Sequence, residues 1–183
     1  GKALPHCEIK IVDEKGNEVE TREVGEIIVR TTSNMIGYWN LPDETEKTLR
    51  SGWLYTGDAG FMDEDGYVYV HDRVKDMIVS GGENVYPAEV ESAIFSHEMV
   101  SDVAVIGVPD ERWGEAVKAL VVLKENCETS EEDIINFTRE KIAGFKTPKS
   151  VDFIKELPRN PSGKILKKEL RKPYWKGFDR AIN

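Results

Sequence analysis

Lys164 stands in the run Leu157-Pro158-Arg159-Asn160-Pro161-Ser162-Gly163-Lys164-Ile165, where two prolines and a glycine set a tight turn. Such a turn can hold an ammonium clear of the surface. A lysine is a compact point charge on a long stem, able to reach a phosphoryl group and withdraw. Where an anion attacks phosphorus, negative charge crowds into the transition state, and a cation placed there lowers the barrier. The plain alternative is an exposed surface lysine. A P-loop is excluded, because the earlier glycine across a four-residue spacer and the following Ser or Thr are both missing.

Upstream, Trp53-Leu54-Tyr55-Thr56-Gly57-Asp58 leaves apolar strand chemistry through a glycine and delivers a carboxylate. That carboxylate can accept two hydroxyl bonds at once, as vicinal diols require. Taken alone, Gly-Asp is a common turn dipeptide. Arg73, in Asp72-Arg73-Val74-Lys75-Asp76, is a permanently charged planar donor suited to hydroxyls or phosphate, or else a surface partner of Asp72 or Asp76. In Ser80-Gly81-Gly82-Glu83 the paired glycines permit close backbone approach to a ligand in a flexible run ahead of a helix. His6, His71 and His97 have no carboxylate or nucleophile at a telling spacing and receive no role.

These residues need elements to position them. Cys7, Ile9 and Ile11 alternate with Glu8 and Lys10, a turn follows at residues 13–17, and residues 25–30 resume the strand as a hairpin. Residues 42–49 predict a short helix with Pro and acids in its first turn, and Asp63-Glu64-Asp65-Gly66 turns a second hairpin. Beyond residue 76 the pattern becomes mixed. Residues 87–95 put Val90, Ala93 and Ile94 on one helical face, residues 103–108, 119–123 and 151–154 read as strands, and Ser130 caps a helix ending at Gly144. Residues 166–172 form a short basic helix. The class is α+β: a β-rich subdomain of hairpins, then a small mixed domain with a three-stranded sheet and flanking helices. The boundary falls at residues 72–76, too short and too poor in Pro, Gly and Ser for a loose linker, which suggests a hinge.

Composition narrows the partners. The chain has 183 residues, 39% hydrophobic and 32% charged, with 34 acidic against 25 basic residues and a net charge of −9. That balance argues against a nucleic-acid surface, which needs clustered excess Lys and Arg. The one basic cluster joins Lys164, Lys167, Lys168, Arg171, Lys172 and Lys176. Cys7 and Cys127, far apart and without nearby histidines, suggest neither a disulfide framework nor a metal site, and a cytoplasmic setting is the default. No apolar run is long enough to span a membrane. The chain opens at Gly1 in front of a strand already under way, as an excised fragment would.

Taken in order, Tyr55-Thr56-Gly57-Asp58, Asp72 to Asp76 with Ser80 to Asn84, and Pro158 or Pro161 to Gly163-Lys164-Ile165 resemble the C-terminal portion of the AMP-forming acyl-CoA synthetases, relatives of luciferases and peptide-synthetase adenylation domains. The resemblance implies a two-step reaction: acid and ATP give acyl-adenylate and pyrophosphate, then CoA displaces AMP to give a thioester. It implies that Asp58, with Tyr55 and Thr56, holds the ribose end of ATP or AMP, that Arg73 contacts the nucleotide site, and that Lys164 serves adenylation. Lys75 falls at the hinge, where its lysine form points toward the fatty-acyl branch. The Ser80, Gly81, Gly82 and Glu83 loop would line the pantetheine tunnel, and Trp113-Gly114-Glu115 would lie near the CoA nucleotide. Residues 1–74 would be the last β-rich subdomain of a large N-terminal domain, and 75–183 a mobile C-terminal domain. The phosphate loop, the acid pocket and the Mg2+ ligands belong upstream, so none of these residues is a metal ligand and this chain alone is expected to be inactive. The alternatives are a luciferase-type or peptide-synthetase adenylating enzyme, or a non-catalytic interaction module.

Overall fold

The computed structural model describes residues 1–178 and divides the chain into two compact units, Gly1–Val74 and Lys75–Asn183. The first unit is antiparallel. Strands β1 (Cys7–Val12), β2 (Gly25–Thr31), β4 (Trp53–Met62) and β3 (Leu49–Arg50) lie in that order, and β5 (Val68–Arg73) adds to β4. Its core is thin, with Ile11, Val12, Ile27, Ile28 and Ala59 buried. Helix α1 (Pro42–Thr48) starts at the expected proline, with Asp43 and Glu44 in its first turn.

The second unit wraps helices around both faces of a sheet. Its strands are β6 (Ile78–Ser80), β7 (Glu83–Val85), β8 (Val100–Asp110), β9 (Gly114–Leu123) and β10 (Ser150–Phe153). The order is β10-β9-β6-β7, with β8 also on β9, and β10 runs parallel to β9. Side chains of β8 alternate between two cores. Val103 and Val105 join Val90, Ile94 and Ile134 on the face of α2 (Pro87–Phe95) and α3 (Glu131–Arg139), while Ala104 and Ile106 join Leu157 and Leu170 under α4 (Lys167–Arg171). A strand covered on both faces must be apolar at every position, which is why residues 103–106 read as a continuous run. The capping box of α3 is formed: Ser130 Oγ accepts from the Asp133 amide at 3.1 Å, and Asp133 accepts from the Ser130 amide at 3.3 Å.

The sheet has five strands rather than three. The run taken as flexible, Ser80-Gly81-Gly82-Glu83, is the tight turn of a hairpin between β6 and β7. Gly81 and Gly82 take φ of +63° and +88°, the pair of positive values that a two-residue turn needs to match the twist of its strands. Ile78 and Val85 point inward as a cross-strand pair, and Val79 and Asn84 point out.

Buried or half-buried ion pairs tie the second unit together, among them three that involve its helices and β9. Arg171 of α4 pairs with Asp76, Lys167 with Glu91 of α2 at 2.8 Å, and Lys118 with Asp152 at 2.7 Å. The Tyr174 hydroxyl donates to the same Asp152 carboxylate. Burial and that hydrogen bond push the Tyr174 hydroxyl up to about 12. For Asp152 burial acts upward, but the Lys118 and Tyr174 donors outweigh it and hold the carboxyl below its ordinary value.

Two expectations follow. Arg171→Ala strands the Asp76 carboxylate, so the chain should lose about 3 kcal/mol of unfolding free energy in urea titrations, and Arg171→Met with Asp76→Leu should lose much less. Because the Tyr174 pKa is raised on folding, its stabilisation is complete below pH about 10 and fades as pH rises through about 12. The margin of the wild type over Tyr174→Phe in urea midpoint should therefore shrink across that window. A constant margin would remove the hydroxyl from this role.

Candidate active site

In the first unit, β4 breaks its ladder with β2 where the sequence reads Thr56-Gly57-Asp58. Tyr55 pairs with Ile28 and Ala59 with Glu26, so three residues face Ile27 alone. The excess bulges. The Thr56 hydroxyl closes it, donating to the Ile27 carbonyl at 2.7 Å and accepting from the Asp58 amide at 3.1 Å, while the Gly57 amide donates to Glu26 Oε1 at 2.9 Å. Gly57 takes φ +71°, which a side chain would resist.

The bulge delivers Asp58 opposite Arg73 on β5, and Arg73 Nη1 donates to Asp58 Oδ1 at 2.8 Å. Arg73 thus pairs across the sheet. Of the neighbouring carboxylates, Asp72 accepts from the Arg73 backbone amide and Asp76 pairs with Arg171. Both side chains stay partly open, 51% exposed for Arg73 and 35% for Asp58. Asp58 Oδ2 has no protein donor among the described residues, so the pair presents an acceptor oxygen and guanidinium N–H groups side by side. That combination matches a sugar diol, whose hydroxyls both donate and accept. The Tyr55 ring carries the Arg50 guanidinium 4.3 Å from its centroid.

In the second unit, Lys75 is exposed on the 3-10 turn Val74–Asp76. The Gly81-Gly82 turn rests on the segment between β8 and β9. The Gly81 amide donates to the Trp113 carbonyl at 2.9 Å, and a Cβ on Gly81 would fall 2.6 Å from the Trp113 ring. Glu115, 7% exposed, accepts from the Val79 amide at 3.0 Å. Ser80 is buried, whereas Gly82 and Glu83 are exposed. A cleft of about 650 Å³ beside Trp113 is walled by Val79, Pro109, Glu115, Trp175 and Phe178.

Lys164 sits on a built turn. The Asn160 carboxamide oxygen accepts from the Ser162 amide at 3.0 Å, the Ser162 hydroxyl at 2.8 Å and the Lys164 amide at 2.9 Å, and the Asn160 amide donates to the Lys164 carbonyl at 2.9 Å. The Lys164 side chain is exposed and makes no hydrogen bond or ion pair among the described residues. Three of its basic neighbours differ: Lys167, Arg171 and Lys172 are paired with Glu91, Asp76 and Glu169.

The structure therefore gathers Tyr55, Thr56, Asp58 and Arg73 in one unit, and Lys75, residues 80–83 and Lys164 in the other. Sequence reasoning missed the role of Asn160 in the turn and, though it singled out Trp113-Gly114-Glu115, the burial of Glu115 against the Val79 amide. Asn-Pro-Ser-Gly is an Asx-turn signal that reveals the first, and a lone acid inside the apolar alternation of β9 marks the second. Among the described residues, no cluster of three or more His, Cys, Asp or Glu could hold a metal ion, and no helix is long and apolar enough to cross a membrane.

Comparison with known proteins agrees on the family. The AMP-binding enzyme C-terminal domain matches residues 89–164, and the AMP-binding enzyme family matches residues 1–39. A fatty acid–[acyl-carrier-protein] ligase, ScoC, of Streptomyces coeruleorubidus is 46% identical over all of this chain, which covers 35% of it. A long-chain-fatty-acid–CoA ligase of Bacillus subtilis (strain 168) is 49% identical over 86% of this chain and 28% of its own. Among solved structures, the o-succinylbenzoate CoA synthetase (MenE) of Bacillus subtilis, in complex with the acyl-adenylate intermediate OSB-AMP, superposes with a TM-score of 0.87 at 41% identity, over 93% of this chain and 34% of that one. The chain thus spans about a third of the length of these relatives. It belongs to the adenylate-forming AMP-binding enzyme family and corresponds to a C-terminal portion of its acyl-CoA and acyl-carrier-protein ligases.

Proposed function

We propose that these residues work as the C-terminal third of an ATP-dependent, AMP-forming ligase that joins a carboxylic acid, of the fatty-acid class, to CoA. The observation that carries the reading is the ammonium of Lys164, exposed and unpaired on a hydrogen-bonded turn. In the first step a carboxylate oxygen attacks the α-phosphorus of ATP, forming the acyl–O–P bond and expelling pyrophosphate. Lys164 offsets the charge that gathers on the phosphoryl oxygens, and Asp58 and Arg73 hold the ribose hydroxyls.

In the second step the CoA thiol attacks the acyl carbon, the C–S bond forms, AMP leaves with the C–O electrons, and the thiol proton is lost. The second unit turns about Lys75 between steps, withdrawing Lys164 and bringing the Gly81-Gly82 turn to the pantetheine arm. One small domain then serves two chemistries in succession. Residues 1–74 act as the last β-rich part of the larger domain. Mg2+ would be held by residues outside this chain. Names support the acid–CoA assignment, since ligases of fatty acids and of succinylbenzoate stand at 41–49% identity to this chain.

A second acceptor is favoured by one specific relative: the protein 46% identical across the whole chain bears the name of an acyl-carrier-protein ligase. Supplying acyl-adenylate with either CoA or a phosphopantetheinylated carrier protein distinguishes the two, and the faster AMP release identifies the acceptor.

In the intact ligase, Lys164→Ala is expected to slow acid-dependent pyrophosphate release by roughly 10²- to 10³-fold, while AMP release from supplied acyl-adenylate and CoA stays unchanged. Equal loss of both steps would overturn the role given to Lys164. The 183-residue chain by itself is expected to release no pyrophosphate from ATP and any acid.

A further inference from the structure

The turn that carries Lys164 protrudes, and an exposed turn holds its direction only if something outside it fixes the base. Arg159 supplies that link. Its Nη1 donates to the Gly163 carbonyl at 2.6 Å, inside the turn, and its Nη2 donates to Asp102 Oδ2 at 2.6 Å, on β8. The Asp102 carboxylate is itself fixed, because its other oxygen accepts from the Val103 amide at 3.0 Å. One guanidinium thus ties the peptide plane immediately before Lys164 to strand β8, 57 residues away in sequence.

Stability does not account for this arrangement. The side chains are 43% and 31% exposed, and ion pairs this open to water add little to folding. The leucine and the helix flanking the turn are already secured by Leu157 and Leu170 in the core and by the Lys167 and Arg171 ion pairs. What the Arg159 bonds control is orientation. Within the turn, the peptide that Gly163 shares with Lys164 is already held, because the Lys164 amide donates to Asn160 Oδ1 at 2.9 Å. That bond fixes the peptide only relative to the turn, whereas the Arg159 guanidinium ties the same peptide's carbonyl to Asp102 on β8 and so sets the direction of the whole turn.

We propose that Arg159, held by Asp102, is a positioning residue that aims the Lys164 ammonium for the adenylation step. The inference rests on the adenylation role given to Lys164 above. A displacement of about 1 Å at a reacting centre can cost on the order of 10²-fold in rate. Loosening the turn should therefore act on the step that uses Lys164 and spare the step that does not.

The test uses the intact ligase and both half-reactions. Arg159→Ala is expected to lower pyrophosphate release at saturating ATP by about tenfold to 10²-fold, with KM for ATP, AMP release from supplied acyl-adenylate and the urea midpoint unchanged. Arg159→Lys, which reaches one acceptor but not both, should fall between. Asp102→Asn keeps an acceptor for the Val103 amide but loses the charged partner, and should slow the same step. The decisive variant is Arg159→Ala combined with Lys164→Ala. Residues that act as a unit are non-additive, so the double variant should be no slower than Lys164→Ala alone.

Slowing of both half-reactions, an unchanged adenylation rate in Arg159→Ala, or a further loss in the double variant would each overturn the proposal while leaving the role of Lys164 intact. An unchanged adenylation rate in Lys164→Ala would overturn the functional reading and this inference with it.

Discussion

The site as a whole depends on keeping one positive charge uncompensated. A lysine that neutralises an approaching phosphoryl group must not already be neutralised by its own protein, yet a cation on a protruding turn in a chain of net charge −9 has many acids to meet. The second unit resolves this by giving the neighbouring cations partners. Glu91, Asp76 and Glu169 are taken by Lys167, Arg171 and Lys172, and Asp102 is taken by Arg159. Lys164 is left without an ion pair among the described residues, as are Lys168 and Lys176 further along the chain. Those same pairs fasten α4 and the base of the turn, so satisfying the neighbours and aiming the lysine are one arrangement.

The first unit solves the opposite problem. Asp58 and Arg73 are matched to one another across two strands, the arrangement that the proposed function uses for a neutral diol. A carboxylate and a guanidinium so paired attract little free ion but retain unused hydrogen-bonding capacity on Asp58 Oδ2. The bulge at Thr56-Gly57 makes this possible, because the two extra residues of β4 opposite Ile27 carry Asp58 out of the ladder with β2 and set it opposite Arg73. Under the proposed function the two units hold complementary chemistry, neutral recognition in one and a mobile charge in the other.

Much of this was legible along the chain, and the failures share a cause. Helices 87–95 and 131–139 announce themselves through proline, a capping box and a 3.6-residue apolar period, all local signals. The β8 and β9 strands are visible because both faces are buried. The β6–β7 hairpin was not, since its strands are three residues each, Glu83 and Asn84 are polar and exposed, and only Ile78 and Val85 reach the core. Partner choice was equally hidden. Adjacent acids at 72 and 76 suggested themselves for Arg73, whereas its guanidinium meets a residue 15 positions back across a sheet. Asn160 acts locally and could have been recognised from its turn, but the link from Arg159 to Asp102 spans 57 positions and needs the folded sheet.

The central claim is that a single ammonium visits the nucleotide in one step and leaves it in the next. Distance measurement by double electron–electron resonance tests it directly. Spin labels would be placed at Ser162 and Tyr67, both exposed, in the intact ligase with Cys7 and Cys127 replaced by Ser. The account predicts two distinct distance distributions: one when acid and a non-hydrolysable ATP analogue are bound, another when acyl-adenylate analogue and CoA are bound. One unchanged distribution in both states would contradict it.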